Sequence, residues 1–131
     1  MQLKDAQILV IDDDEDVLTA LRLLLKPQVK NPNALQAILN KQDFDLVILD
    51  MNYNGLVNTG NEGIFWLNKI KSWKPATDVM LITAYGDIDL AIRSLKEGAS
   101  DFLVKPWKNE KLLESMAEIL AKKKKPGSQR I

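Results

Sequence analysis

Four short apolar runs, Ile8 to Ile11, Leu46 to Leu49, Val79 to Ile82 and Phe102 to Val104, stand out along the chain, and none alternates apolar with polar residues. A strand that is apolar at every position is covered on both faces, as parallel strands between two helix layers are. Between the runs, apolar residues recur at intervals of three and four. Val17, Leu21, Leu24 and Leu25 make one such stripe, with Asp14 placed to cap its start and Pro27 to end it. Asn33 is placed to cap a short helix carrying Leu35, Ile38 and Leu39, and the stretch from Glu62 to Ser72 carries Trp66, Leu67 and Ile70. Ile88, Ala91, Ile92 and Leu95 form a further stripe that runs until Gly98. Leu112, Leu113, Met116, Ile119 and Leu120 form the last, after a cap at Asn109. Strands alternating with helices predict an α/β sheet joined by right-handed crossovers.

Two segments strain this pattern. From Lys26 to Asn33, where a second strand belongs, Val29 is the one apolar β-branched residue and Pro27 and Pro32 flank it. That strand is predicted to be short or absent, which costs least at a sheet edge, where proline is tolerated. The stretch from Asn52 to Asn61, rich in Asn and Gly, exceeds the roughly 2 to 6 residues usual between a strand and a helix, and long loops at such places are often functional. After Leu120, the run Lys122 to Lys125 followed by Pro126, Gly127 and Ser128 reads as a frayed helix end passing into a linker. The expected organisation is one domain over residues 1–121 and a linker or tail over 122–131.

Composition narrows the chemistry. The 131 residues contain no Cys and no His, which removes a disulfide framework, thiolate or imidazole metal ligation, Ser-His catalysis and an internal phosphohistidine. Carboxylates, hydroxyls and lysines remain. Lys and Arg number 18, as do Asp and Glu, and the sequence pI is near 6.3, which argues against the domain as a whole binding nucleic acid. No apolar run approaches the ~20 residues of a membrane span, and no signal-peptide pattern follows Met1, so a cytoplasmic location is expected and no membrane partner.

The polar residues that follow the apolar runs carry the chemical information. Asp12 and Asp13 follow the first run, Asp50 the second, Thr83 the third and Lys105 the fourth, so each sits at the carboxyl end of a predicted strand. In an open parallel sheet those ends share one rim, where ligands bind at the reversal of strand order. Carboxylates gathered there at ~4 Å repel by about 4 kcal/mol at an effective dielectric near 20, which raises their pKa values or recruits a cation. A divalent cation is the simpler solution, and oxygen-only ligands suit Mg²⁺. Thr83 supplies a hydroxyl and Lys105 a point charge for phosphoryl oxygens that a metal leaves free. Together these groups describe phosphoryl transfer, with Asp50, alone at its strand end, as the nucleophile that becomes an acyl phosphate.

These residues resemble a known family. Ile8 to Asp14 (ILVIDDD), Asp45 to Met51 (DLVILDM), Leu81 to Ala84 (LITA) and Lys105-Pro106 are similar, in order and over nearly the whole chain, to the receiver domain of bacterial two-component response regulators. The resemblance implies a flavodoxin-like three-layer sandwich with parallel strand order 2-1-3-4-5. It also implies a phosphoryl group accepted on Asp50 from a sensor histidine kinase. It further implies that Asp12, Asp13 and Asp50, with the backbone carbonyl of Asn52, hold Mg²⁺, that Lys105 pairs with the phosphate, and that Thr83 and Phe102 are the switch pair. Such a domain is not a classified enzyme in isolation, although it catalyses its own phosphorylation and dephosphorylation.

The run from Thr83 to Asp89 and the run from Gly98 to Pro106 look like receivers of sigma-54-dependent transcriptional activators. There the chain continues into an effector that contacts nucleic acid, and the ending at Ile131 suits a receiver cut in its linker. A stand-alone receiver acting by protein-protein contact is the alternative, and a homodimer is among the partners the resemblance allows. Two features depart from the family: Asn54 stands where it usually has Pro, and the stretch from Asp13 to Asp50 is short, the shortfall falling on the second strand. Other classes fit less well. An aspartyl phosphatase needs a second carboxylate where Asn52 stands, a flavin-type cofactor binder needs a phosphate loop where Asp12 to Asp16 would repel one, and a pseudo-receiver has no use for Asp50, Thr83 and Lys105 together.

Overall fold

The computed structural model describes residues 3–12, 14–25, 28–29, 35–50, 62–83 and 88–122. The expectations for Asp13, Asn33, Asn52, Asn54, the loop from 52 to 61 and the tail beyond Lys122 lie outside these residues. After a 3-10 turn at Leu3–Asp5 the elements run β1 (Ile8–Ile11), α1 (Glu15–Leu25), β2 (Gln28–Val29), α2 (Leu35–Lys41), β3 (Leu46–Asp50), α3 (Glu62–Trp73), β4 (Asp78–Thr83), α4 (Ile88–Lys96), β5 (Asp101–Val104) and α5 (Asn109–Ala121). The strands form one parallel sheet in the order β2-β1-β3-β4-β5. This is the flavodoxin-like α/β fold. Its second strand is present but reduced to two residues at the sheet edge.

Packing explains why the apolar runs do not alternate. Leu9 and Ile11 of β1, Val47 and Leu49 of β3, and Val79 and Leu81 of β4 meet Leu39 of α2 and Trp66, Leu67 and Ile70 of α3 on one face. Their neighbours in the same strands, Ile8, Val10, Leu46, Ile48, Met80 and Ile82, meet Leu18 and Leu21 of α1 and Leu112, Met116, Ile119 and Leu120 of α5 on the other. The apolar residues of β1, β3 and β4 thus face one of two cores, and polar residues fall at the ends of these strands and not within them.

The start of α1 is fixed by its expected cap. Asp14 Oδ1 accepts the amides of Asp16 at 2.9 Å and Val17 at 3.4 Å, and the Asp14 carbonyl accepts Leu18 N–H at 3.0 Å. Asp14→Ala is expected to cost about 1 kcal/mol, read as a shift of the urea midpoint without a change of slope.

Two expectations about helices are corrected. Asn109 is the first residue of α5, because the first helical bond runs from Leu112 N–H to the Lys108 carbonyl at 3.1 Å. The cap position therefore belongs to Lys108, whose side chain makes no capping bond. The stripe of α4 is also turned from the expected one. Ala91 and Ser94 are buried, Leu90 packs partly on the core, and Ile92 and Leu95 are 44 % and 38 % exposed. Ser94 can be buried because its hydroxyl donates to the Ala91 carbonyl at 2.5 Å, leaving the polar group satisfied, and its small volume suits a close approach to the sheet.

Candidate phosphoryl-transfer site

The carboxyl ends of β1, β3, β4 and β5 lie side by side, and the register sets their heights. Ile11 is opposite Leu49, Asp50 opposite Ile82, and Thr83 opposite Val104. Asp12 is the first residue beyond β1, Asp50 and Thr83 end their strands, and Lys105 follows β5, whose course is held by a bond from Lys105 N–H to the Thr83 carbonyl at 2.8 Å. A cis peptide joins Lys105 to Pro106.

Side chains converge from these positions. Lys105 Nζ lies 3.3 Å from Asp12 Oδ2 and 3.6 Å from Asp50 Oδ1, and the two carboxylates are almost fully buried while the lysine side chain is 25 % exposed. Asp12 is oriented by its other oxygen, which accepts Asp14 N–H at 2.9 Å. The same residue that caps α1 therefore aims Asp12 at the rim.

Among the described residues one ammonium serves two buried carboxylates, which is an excess of negative charge. Oxygens that both touch one nitrogen are no more than about 7 Å apart, where two carboxylates repel by about 2 kcal/mol at an effective dielectric of 20. Asp12 Oδ2 is buried and makes no directed hydrogen bond, so its nearest compensation is the charge of Lys105. An orphaned, buried, anionic oxygen beside a second carboxylate is the donor set that a hard divalent cation satisfies, and the residues present fit Mg²⁺ on that ground. Among the described residues alone no group of three acidic side chains gathers, and Asp13 is not among those residues.

Thr83 is fully buried on the same rim. Phe102 lies lower, opposite Leu81, half-buried against the core shared by α3 and α4. The structure thus brings Asp12, Asp50 and Lys105 into contact, sets Thr83 beside them at the end of β4, and holds Phe102 one layer below. A feature the sequence reasoning missed is a groove of about 520 Å³ next to Lys105, where Val17 and Ala20 of α1 face Pro106 and Trp107. Its signal was the Trp that follows Lys105-Pro106.

Comparison with known proteins shows the family of the chain. The family model described as the response regulator receiver domain matches residues 8–117. The transcriptional regulatory protein ZraR of Klebsiella oxytoca is 36 % identical over 125 residues, which cover 90 % of this chain and 27 % of that protein. The chain spans about a quarter of the length of the curated relatives it matches. Among solved structures, the N-terminal signal receiver domain of a two-component response regulator from Bacteroides fragilis is 47 % identical with a TM-score of 0.75, over 86 % of this chain and 94 % of that one. NtrX from Brucella abortus is 27 % identical with a TM-score of 0.79, over 92 % of this chain and 27 % of that one. The sheet order, the acid-lysine contact at its carboxyl rim and the family match together establish that this chain belongs to the receiver domains of two-component response regulators.

Proposed function

We propose that the domain accepts a phosphoryl group on Asp50 from a phosphohistidine of a sensor histidine kinase. The contact of Lys105 with both Asp12 and Asp50 is the observation that carries this reading, since it fixes a nucleophilic carboxylate, a second acid and a cation at one rim. An Asp50 oxygen forms the bond to phosphorus as the P–N bond to the donor imidazole breaks and its electron pair returns to the ring. Asp12, Asp13 and Asp50, with the backbone carbonyl of Asn52, are the residues that would hold Mg²⁺. Such an ion would offset the charge of the carboxylates and of the phosphoryl oxygens. Lys105 moves its pairing from the Asp50 carboxylate to a phosphoryl oxygen, which keeps its charge opposed to a negative group throughout. The groove between α1 and Trp107 gives a donor segment an apolar seat beside that lysine. Later attack by water on the acyl phosphate returns the carboxylate.

Phosphorylation adds ≈ −1.5 to −2 charges at this rim. The Thr83 hydroxyl turns toward the phosphoryl oxygens, Phe102 turns inward, and α4 changes its presentation. The exposed Ile92 and Leu95 of α4 supply the apolar part of the resulting output surface, for a downstream domain or a second copy. Residues 1–121 are the receiver and 122–131 a linker or tail, and the output is transcriptional control of the sigma-54-dependent type. Its support is that relatives named as transcriptional regulators are about four times as long. No helix among the described residues is long and apolar enough to cross a membrane.

The metal is tested by titrating Mg²⁺ into wild type, Asp12→Ala and Asp13→Ala and following Trp fluorescence. Affinity is expected to fall at least about tenfold in each variant, since each loses one of few anionic ligands. Unchanged affinity in both would contradict the assignment.

A further inference from the structure

β5 is an edge strand. The Lys105 amide donates inward to Thr83 on β4, and successive amides along a strand point to opposite sides, so the Phe102 and Val104 amides face the open edge. A groove of about 470 Å³ runs beside this edge, with Phe102, Val104, Trp107 and Lys111 among its lining residues. Among the described residues the opposite edge, β2, is two residues long, and β5 is the longer edge.

The outward amide of Phe102 is already taken. It donates to Asp101 Oδ1 at 2.8 Å, and the other oxygen of that carboxylate, Oδ2, accepts the hydroxyl of Ser115 from α5. Ser115 is buried among the apolar contacts of α5 with the sheet, its Oγ also 3.5 Å from Met80 Sδ, so it holds the carboxylate at a fixed place. We infer that Asp101, held by Ser115, guards the open edge of the sheet: it occupies the outward amide of Phe102 and keeps β5 from pairing with a strand of a second copy of this chain. An incoming strand would have to displace a charge-assisted bond and bring its own carbonyl oxygens against a carboxylate, and with Phe102 closed only the Val104 amide is left to receive it.

The test is amide hydrogen exchange by NMR together with sedimentation velocity over a range of concentrations, on wild type, Asp101→Ala, Ser115→Ala and Asp101→Asn. In Asp101→Ala and Ser115→Ala the Phe102 amide is expected to exchange about tenfold faster at low concentration. At high concentration both variants associate more strongly than wild type, and the Val104 amide becomes protected in step. Asp101→Asn, which keeps an acceptor oxygen but loses the charge, is expected to fall between wild type and Asp101→Ala in both readouts. Unchanged exchange at Phe102 would overturn the inference. So would faster exchange with no added association, or association that leaves the Val104 amide unprotected. Ser115→Ala carries the test should Asp101→Ala fail to fold.

Discussion

Lys105→Ala is expected to lower the stability of the metal-free domain by about 2–3 kcal/mol and to slow phosphorylation by a small donor about a hundredfold or more. The first effect follows from leaving the Asp12 and Asp50 carboxylates buried without their shared cation. Breaking a buried pair typically costs 3–5 kcal/mol, reduced here because the lysine is one-quarter exposed. The second follows from removing the cation that faces the phosphoryl oxygens as charge develops on them, a loss comparable with that of an oxyanion-hole donor. Urea unfolding in the presence of a chelator reads the first, and intact-mass kinetics of phosphoryl incorporation the second. Addition of Mg²⁺ should restore part of the stability, because a second cation then serves the same carboxylates. A variant as stable as wild type in chelator would mean that the lysine contributes nothing to holding the acids in place.

Asp50→Asn should act in the opposite direction on stability while removing function altogether. It deletes one of the two described carboxylates that face Lys105 and keeps the shape and one acceptor oxygen. The metal-free domain is therefore expected to gain about 1–2 kcal/mol. No phosphoryl group should be gained from small donor plus Mg²⁺ under conditions where wild type is fully modified. The pair of variants separates charge balance from chemistry: one lowers stability and slows the reaction, the other raises stability and abolishes it. Loss of stability in Asp50→Asn would show that its other contacts outweigh the repulsion.

The strands and the site were legible for the same reason. Strands covered on both faces leave no room for polar residues within the runs, so Asp12, Asp50, Thr83 and Lys105 had to fall at strand ends, and the parallel order brought those ends to one rim. The weak second strand was likewise written in Pro27 and Pro32. The orientation of α4 was not legible, because a period of three and four selects a stripe only when the buried residues are the large ones. Here Ala91 and Ser94 take the inner face and Ile92 and Leu95 the outer. Asn109 misled for a related reason: a capping residue type says nothing about which carbonyl accepts the first helical bond, and that is Lys108's. The Asp101 to Ser115 tie was invisible as well, joining a strand start to a helix middle through residues unremarkable in either place.

Reductive trapping identifies the residue that carries the phosphoryl group, which is proposed to be Asp50. Wild-type chain is treated with a small phosphodonor and Mg²⁺, and the acyl phosphate is reduced with borohydride, which converts the modified aspartate to homoserine. The converted residue is then located by peptide mass spectrometry. Conversion is expected at residue 50 and at no other carboxylate. Conversion at Asp12 or Asp13, or phosphoryl incorporation that leaves residue 50 an unmodified aspartate, would contradict it.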